Sequence, residues 1–126
     1  CAEGDCGACT VLLGRLTGSG LIYEPINACI RFLASCHGCH IVTVEHLRGP
    51  KGGLHPIQKA MVAHHGSQCG FCTPGFVMQL HAGWLTGAIS DRASVKDLIA
   101  GNLCRCSGYV KLIDAVRLAA AGGGAR

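Results

Sequence analysis

The sequence predicts an α+β chain of two small halves, a strand-bearing half over residues 1–50 and an all-α half of four helices over residues 51–126. Three observations lead there. Short β-branched and apolar runs occur only before residue 50, whereas after residue 54 apolar residues recur at helical spacing. Between the two lies Leu47 to Gly53, carrying Gly49-Pro50 and Gly52-Gly53, which reads as a linker. Ten cysteines in tight groups mark both halves.

In the first half, Cys1-Ala2-Glu3-Gly4-Asp5-Cys6-Gly7-Ala8-Cys9 is C-x4-C-x2-C, the loop spacing of plant-type [2Fe–2S] ferredoxins. Thr10-Val11-Leu12-Leu13 reads as a strand leaving that loop, Leu16 to Gly20 as a turn, and Leu21-Ile22-Tyr23 as a second short strand. Asn27-Ala28-Cys29 supplies the distant fourth cysteine that the spacing requires. Zinc is the alternative for these thiols, but three cysteines in one short loop fit the ferredoxin spacing better. Ile41-Val42-Thr43-Val44 reads as a closing strand.

Cys36-His37-Gly38-Cys39-His40, just before that strand, matches the C-x-x-C-H signature of c-type haem attachment. A haem would also require export and a second axial ligand, for which nothing else in the chain argues. The motif reads as a polar turn, with Cys36 and Cys39 left over once two sets of four cysteines are taken from ten.

In the second half, His55-Pro56-Ile57 opens a helix, with Pro56 tolerated in the first turn and Ile57, Ala60 and Met61 on its apolar stripe. It runs out near His65-Gly66. Thr73-Pro74 reads as a cap and first residue of a second helix bearing Phe76, Val77, Leu80 and Trp84 and ending at Gly87. Ser94-Val95-Lys96-Asp97 resembles a capping box for a third helix that stops at Gly101. A fourth starts near Tyr109 and carries Val110, Ile113 and Val116; the Gly/Ala stretch from Ala119 is expected to fray as a flexible tail from about residue 120. Cys69-x2-Cys72 lies between the first and second helices, and Cys104-x-Cys106 between the third and fourth. Four thiolates arriving from helix ends can hold one inorganic centre, zinc or iron–sulfur. Disulfides within groups so tight are disfavoured by geometry.

Composition narrows the function classes. The formal charge is +4, but the basic residues are scattered and not interleaved with aromatics, so nucleic-acid binding is unsupported. Four thiolates around an oxidised [2Fe–2S] core leave about −2 each, so two such clusters nearly cancel the excess. No apolar run is long enough to span a membrane. The chain starts on Cys1 inside its first motif, which reads as loss of the natural N-terminus. Clusters built on free thiolates suggest a cytoplasmic setting. His64-His65 has no carboxylate spaced to orient it and reads as a solvated helix end.

Taken together, Glu3-Gly4-Asp5-Cys6-Gly7-Ala8-Cys9-Thr10-Val11, Asn27-Ala28-Cys29, Thr43-Val44-Glu45, His55-Pro56-Ile57-Gln58, His65 through Gly75 and Gly101 through Tyr109 resemble the iron–sulfur subunit or domain of the molybdenum hydroxylases, the xanthine dehydrogenase family. The stretch His55 to Gly75 resembles the xanthine dehydrogenase branch more than aldehyde or carbon monoxide relatives. The resemblance implies a partial β-grasp, ferredoxin-like domain with one [2Fe–2S] cluster on Cys1, Cys6, Cys9 and Cys29. It further implies an all-α four-helix domain with a second on Cys69, Cys72, Cys104 and Cys106. The helical cluster would face molybdopterin on a partner subunit or domain, with Gln68 and Cys106 contacting the pterin, and the other would face FAD. Electrons would pass from molybdopterin through both clusters to FAD and NAD, with no catalytic residue on this chain. The opening strands and helix of a β-grasp domain are absent from this sequence, so the second cluster is expected to bind more reliably than the first. Ser107 stands where the family often has Thr and keeps the hydroxyl.

Overall fold

A computed structural model describes residues 1–49 and 51–122. Three strands precede four helices: β1 (Thr10–Thr17), β2 (Gly20–Asn27), β3 (His40–Val42), α1 (Pro56–Ala63), α2 (Thr73–Leu85), α3 (Arg92–Leu98) and α4 (Val110–Gly122). The α+β class read from the sequence is therefore the observed one.

The sheet is antiparallel throughout, in the order β2-β1-β3. β1 and β2 form a hairpin whose two-residue loop is Gly18-Ser19, since Thr17 pairs with Gly20 and Thr10 with Asn27. Both strands are longer than the apolar runs suggested, because the ladder continues through Leu16 and Thr17 and through Glu24 to Asn27. Pro25, which has no N–H to donate, is accommodated because β2 is an edge strand. β3 is shorter than expected; Val44 falls in a 3-10 turn, Val44–Leu47, that buries Leu47. Pro50 of the expected linker lies outside the described residues.

Leu12 and Val42 on the sheet, Leu47, and Ile57, Met61, Phe76, Val77, Met78, Leu80, Val95, Ile99, Leu112, Ile113 and Val116 on or beside the helices form one buried apolar cluster. α2 is the hub, packed against β1, β2, α1 and α3, while α4 lies across α1 and α3. Its buried residues occupy nearly every position from Gly75 to Leu80, as a helix covered by both sheet and helices requires.

Three helix starts show where local chemistry acts. His55 caps α1: its Nδ1 accepts from the Ile57 N–H (3.3 Å), and Gln58 Oε1 accepts from the His55 N–H (2.9 Å). The His55-Pro56-Ile57-Gln58 motif is thus a capping device. α2 does not start on a Thr73 cap. Cys72 occupies the N-cap position without a side-chain hydrogen bond, and Thr73 Oγ1 instead pairs with Ser67 Oγ at 2.7 Å. α3 is capped by Asp91, not Ser94: the Asp91 carboxylate accepts from Ser94 N–H at 2.8 Å, and Ser94 Oγ accepts from Asp91 N–H at 3.0 Å. A carboxylate is the stronger acceptor, so the helix begins earlier and Ser94 becomes its third residue. α4 remains helical to Gly122, past the start of the expected tail; residues 123–126 lie outside the described residues.

Candidate iron–sulfur site

The first loop is wound by its glycines and pinned by side chains, with Asn27 Nδ2 donating to Gly4 O. Gly4 and Gly7 take positive φ (79° and 69°), which folds Cys1 to Cys9 into a tight wrap. The Cys1 nitrogen lies 3.9 Å from Cys6 Sγ, and the Cys29 N–H donates to Cys9 Sγ at 3.4 Å. Burial works to raise the Cys9 thiol, but the Cys29 N–H and thiol overcome it and leave its pKa below the ordinary value. Cys9 and Cys29 thus face each other across the loop, while Cys6 Sγ lies beside the Cys1 nitrogen.

The second group forms where the α1–α2 loop meets the α3–α4 loop. Cys106 Sγ lies 3.6 Å from Cys69 Sγ, and the Cys69 thiol holds the Cys106 pKa above its ordinary value. Cys72 pairs with Cys104. Burial, then the Cys104 thiol, pushes Cys72 up to about 11. Burial acts in the same direction on Cys104, but the Ser107 hydroxyl and N–H outweigh it and bring Cys104 down to about 7. Ser107 Oγ donates to Cys104 Sγ at 3.0 Å and Ser107 N–H donates to it at 3.3 Å. Tyr109, at φ 67°, turns its phenol back to accept from Cys104 N–H at 2.8 Å. Gln68 is exposed beside Cys69.

All ten cysteines are free thiols. Among the described residues, no three His, Cys, Asp or Glu side chains converge as they would around one ion. In the second set the sulfurs come in twos. A tetrahedral zinc would gather all four at Zn–S distances of about 2.3 Å, whereas a [2Fe–2S] core takes two thiolates on each iron. The pairing of Cys69 with Cys106 and of Cys72 with Cys104 thus fits a two-iron core. So does the soft all-thiolate donor set.

The two loops touch, which the sequence did not reveal. Leu103 N–H donates to Cys6 O at 2.9 Å, and Asn102 Nδ2 donates to Gly7 O at 3.0 Å. Asn102 is buried, and Gly7 O also accepts from Thr10 Oγ1 at 2.7 Å. Gly75, in the first turn of α2, leaves room for this junction: a Cβ there would lie 2.0 Å from Gly7 O. Local sequence patterns do not mark Asn102, Thr10 and Gly75 as parts of a junction; a polar residue beside a cysteine motif and a glycine in a helix's first turn are the signals available. Cys36 to Cys39 forms a turn ahead of β3, and His64 and His65 are exposed at the end of α1.

A family model described as a [2Fe-2S] binding domain matches residues 43–117. The chain is 41% identical over 121 residues to xanthine dehydrogenase 1 of Arabidopsis thaliana, a match covering 94% of this chain and 9% of that protein. Among solved structures, quinoline 2-oxidoreductase from Pseudomonas putida 86 superposes with a TM-score of 0.79 at 34% identity, over 99% of this chain and 75% of that one. Aldehyde oxidoreductase from Desulfovibrio gigas superposes with a TM-score of 0.81 at 41% identity, over 96% of this chain and 13% of that one. The chain thus spans about a tenth of the xanthine dehydrogenase it matches.

Proposed function

This chain belongs to the iron–sulfur, [2Fe–2S]-binding family of the molybdenum hydroxylases, and from that premise we propose that it is the internal electron relay of such an enzyme. Cys1, Cys6, Cys9 and Cys29 would hold one [2Fe–2S] cluster, and Cys69, Cys72, Cys104 and Cys106 the second. When bound, such clusters accept and release one electron at a time. The division at about residue 50 would separate the two cluster-holding units.

The observation that carries the reading is the junction between the loops. Cys6 and Cys104 lie on either side of a direct backbone hydrogen bond, Leu103 N–H to Cys6 O at 2.9 Å, braced by Asn102. Two thiolate groups so joined share one rigid support, which favours passage of charge between them over independent structural roles. Exposed apolar residues flank both groups: Ile30, Phe32 and Leu33 beside Cys29, and Phe71 and Leu103 beside the second set. Patches of this kind suit protein surfaces rather than solvent. We assign the second set, with Gln68 and Cys106, to the side of a molybdopterin-binding subunit or domain, and the first to the side of an FAD-binding one. Electrons would then run from molybdopterin to FAD and NAD. Among the described residues no helix is long and apolar enough to cross a membrane; a cytoplasmic enzyme is the setting proposed.

The substrate proposed for the whole enzyme is a purine of the xanthine type, from the wording of His55 to Gly75. The equal identity to an aldehyde oxidoreductase makes aldehydes, and the quinoline enzyme makes N-heterocycles, the alternatives. Anaerobic loading with iron and sulfide, followed by EPR after dithionite reduction, tests the relay. Two distinct S = 1/2 signals are expected. One signal would remove the two-cluster relay, and tight zinc with no signal would leave a structural metal module.

A further inference from the structure

Eight of the ten cysteines fall into the two groups described, and Cys36 and Cys39 do not. Their backbone is specific. Cys39 N–H donates to Cys36 O at 3.0 Å, closing a four-residue turn. His37 has φ −59° and ψ 131°, and Gly38 has φ 72°. These are the values of a type II β-turn, in which the third residue must tolerate positive φ. Such a turn brings its first and fourth Cα atoms within about 7 Å, the separation a disulfide spans. Neither thiol is committed elsewhere: Cys36 Sγ lies 3.8 Å from Phe32 O and Cys39 Sγ 3.7 Å from His37 O, contacts too weak to hold a rotamer. Both are half-buried, within reach of a small reagent. Cys69 and Cys72, at the same spacing, each face a sulfur of another loop; at Cys36 and Cys39 the type II turn supplies the short span that so tight a spacing otherwise disfavours.

We propose that Cys36 and Cys39 form a reversible dithiol–disulfide pair on the sheet-bearing half, exchanging with a low-molecular-weight disulfide of the glutathione class. One thiolate attacks the reagent's S–S bond, forming a mixed disulfide and releasing one reagent thiolate. The second protein thiolate attacks the protein sulfur of that mixed disulfide, closing the Cys36–Cys39 bond and releasing the other. The protein pair loses two electrons, the reagent disulfide gains them, and the two protons leaving the protein thiols are taken up by the two released thiolates. The turn leads directly into β3, whose first residue, His40, meets Tyr23 Oη through Nδ1 at 2.7 Å across the central strand at Gly14.

The test equilibrates the cluster-loaded protein anaerobically in reduced and oxidised glutathione at graded ratios, quenches by alkylation and maps peptides. An intramolecular Cys36–Cys39 link is expected to rise with the oxidised fraction while the visible absorption of the clusters stays unchanged. Cys36→Ser should trap Cys39 as its glutathione adduct. Gly38→Val meets no neighbour, because nothing lies within 4 Å of a Cβ there, but it opposes the positive φ. It should require about tenfold more oxidised glutathione for half-closure, the left-handed penalty of a side chain. Full alkylation of both thiols in the most oxidising buffer overturns the proposal. So do stable adducts on both cysteines of the unsubstituted protein, or protection of both by one retained zinc.

Discussion

Gly75→Ala probes the junction on which the relay depends. A methyl group at residue 75 would stand 2.0 Å from Gly7 O, 2.9 Å from Ala8 Cα and 3.0 Å from Ala8 O. All three are main-chain atoms, so no rotamer change relieves the clash. Ordinary contact begins at 3.4 Å, so the Gly7 carbonyl must retreat by about 1.4 Å. That carbonyl is held by Thr10 N–H at 3.2 Å, Thr10 Oγ1 at 2.7 Å and Asn102 Nδ2 at 3.0 Å. Moving it away from α2 strains the loop and breaks the Asn102 bond. Overpacking costs about 1–3 kcal/mol and the lost hydrogen bond about 1 kcal/mol, together about 2–4 kcal/mol. For a chain of this size that lowers the melting midpoint by about 10 °C. The assay is thermal denaturation of the cluster-loaded protein at one scan rate, followed by visible circular dichroism. Gly18→Ala serves as control, because no atom lies within 4 Å of its Cβ position and its φ is not positive. A Gly75→Ala melt within about 1 °C of the unsubstituted protein, with both EPR signals unchanged, would refute the reasoning.

Ser107→Ala removes the 3.0 Å hydroxyl donor to Cys104 Sγ and leaves the 3.3 Å backbone donor. Reduction adds negative charge that the hydroxyl stabilises, so the potential of the second centre should fall by about 30–60 mV in a redox titration, with Ser107→Thr near the starting value. Tyr109→Phe takes the acceptor from Cys104 N–H and should lower stability by about 1–2 kcal/mol in chemical denaturation. Burial and the nearby His55 hold His81 at a pKa of about 4, and its buried Nδ1 lacks a hydrogen-bond partner. An unfolded histidine titrates near about 6.5, so the unfolded chain takes up that proton while the folded one does not. Stability should therefore fall as pH drops from 6.5 towards 4. A smaller fall in denaturation midpoint between pH 7.5 and 5.5 for His81→Leu checks it, while His55, also lowered by burial, keeps part of the slope.

Much of the molecule was legible along the chain because its signals are local. The α1 start at His55-Pro56, the apolar stripes of α1, α2 and α4, and the cysteine spacings each depend on residues a few positions apart. Capping was read less well, since Asp91 and Ser94 both qualify as caps and only the helix's actual first turn chooses between them. The lengths of β1 and β2 were also hidden, because pairing carries polar residues such as Glu24 and Asn27 into the ladder.

What the tertiary structure alone decided is which sulfur faces which, and how the two groups are joined. Cys69 meets Cys106, and Cys72 faces Cys104, because α4 packs on both α1 and α3 and so brings the Cys104–Cys106 loop against the start of α2. No spacing rule specifies that packing, in which Leu112, Ile113 and Val116 join the buried cluster with Ile57 and Met61 of α1 and Val95 of α3. The Asn102 to Gly7 bond spans 95 residues of sequence. A local pattern holds no information at that range. Only packing of the sheet on α2, made possible by the missing side chain at Gly75, brings the two loops within hydrogen-bonding distance.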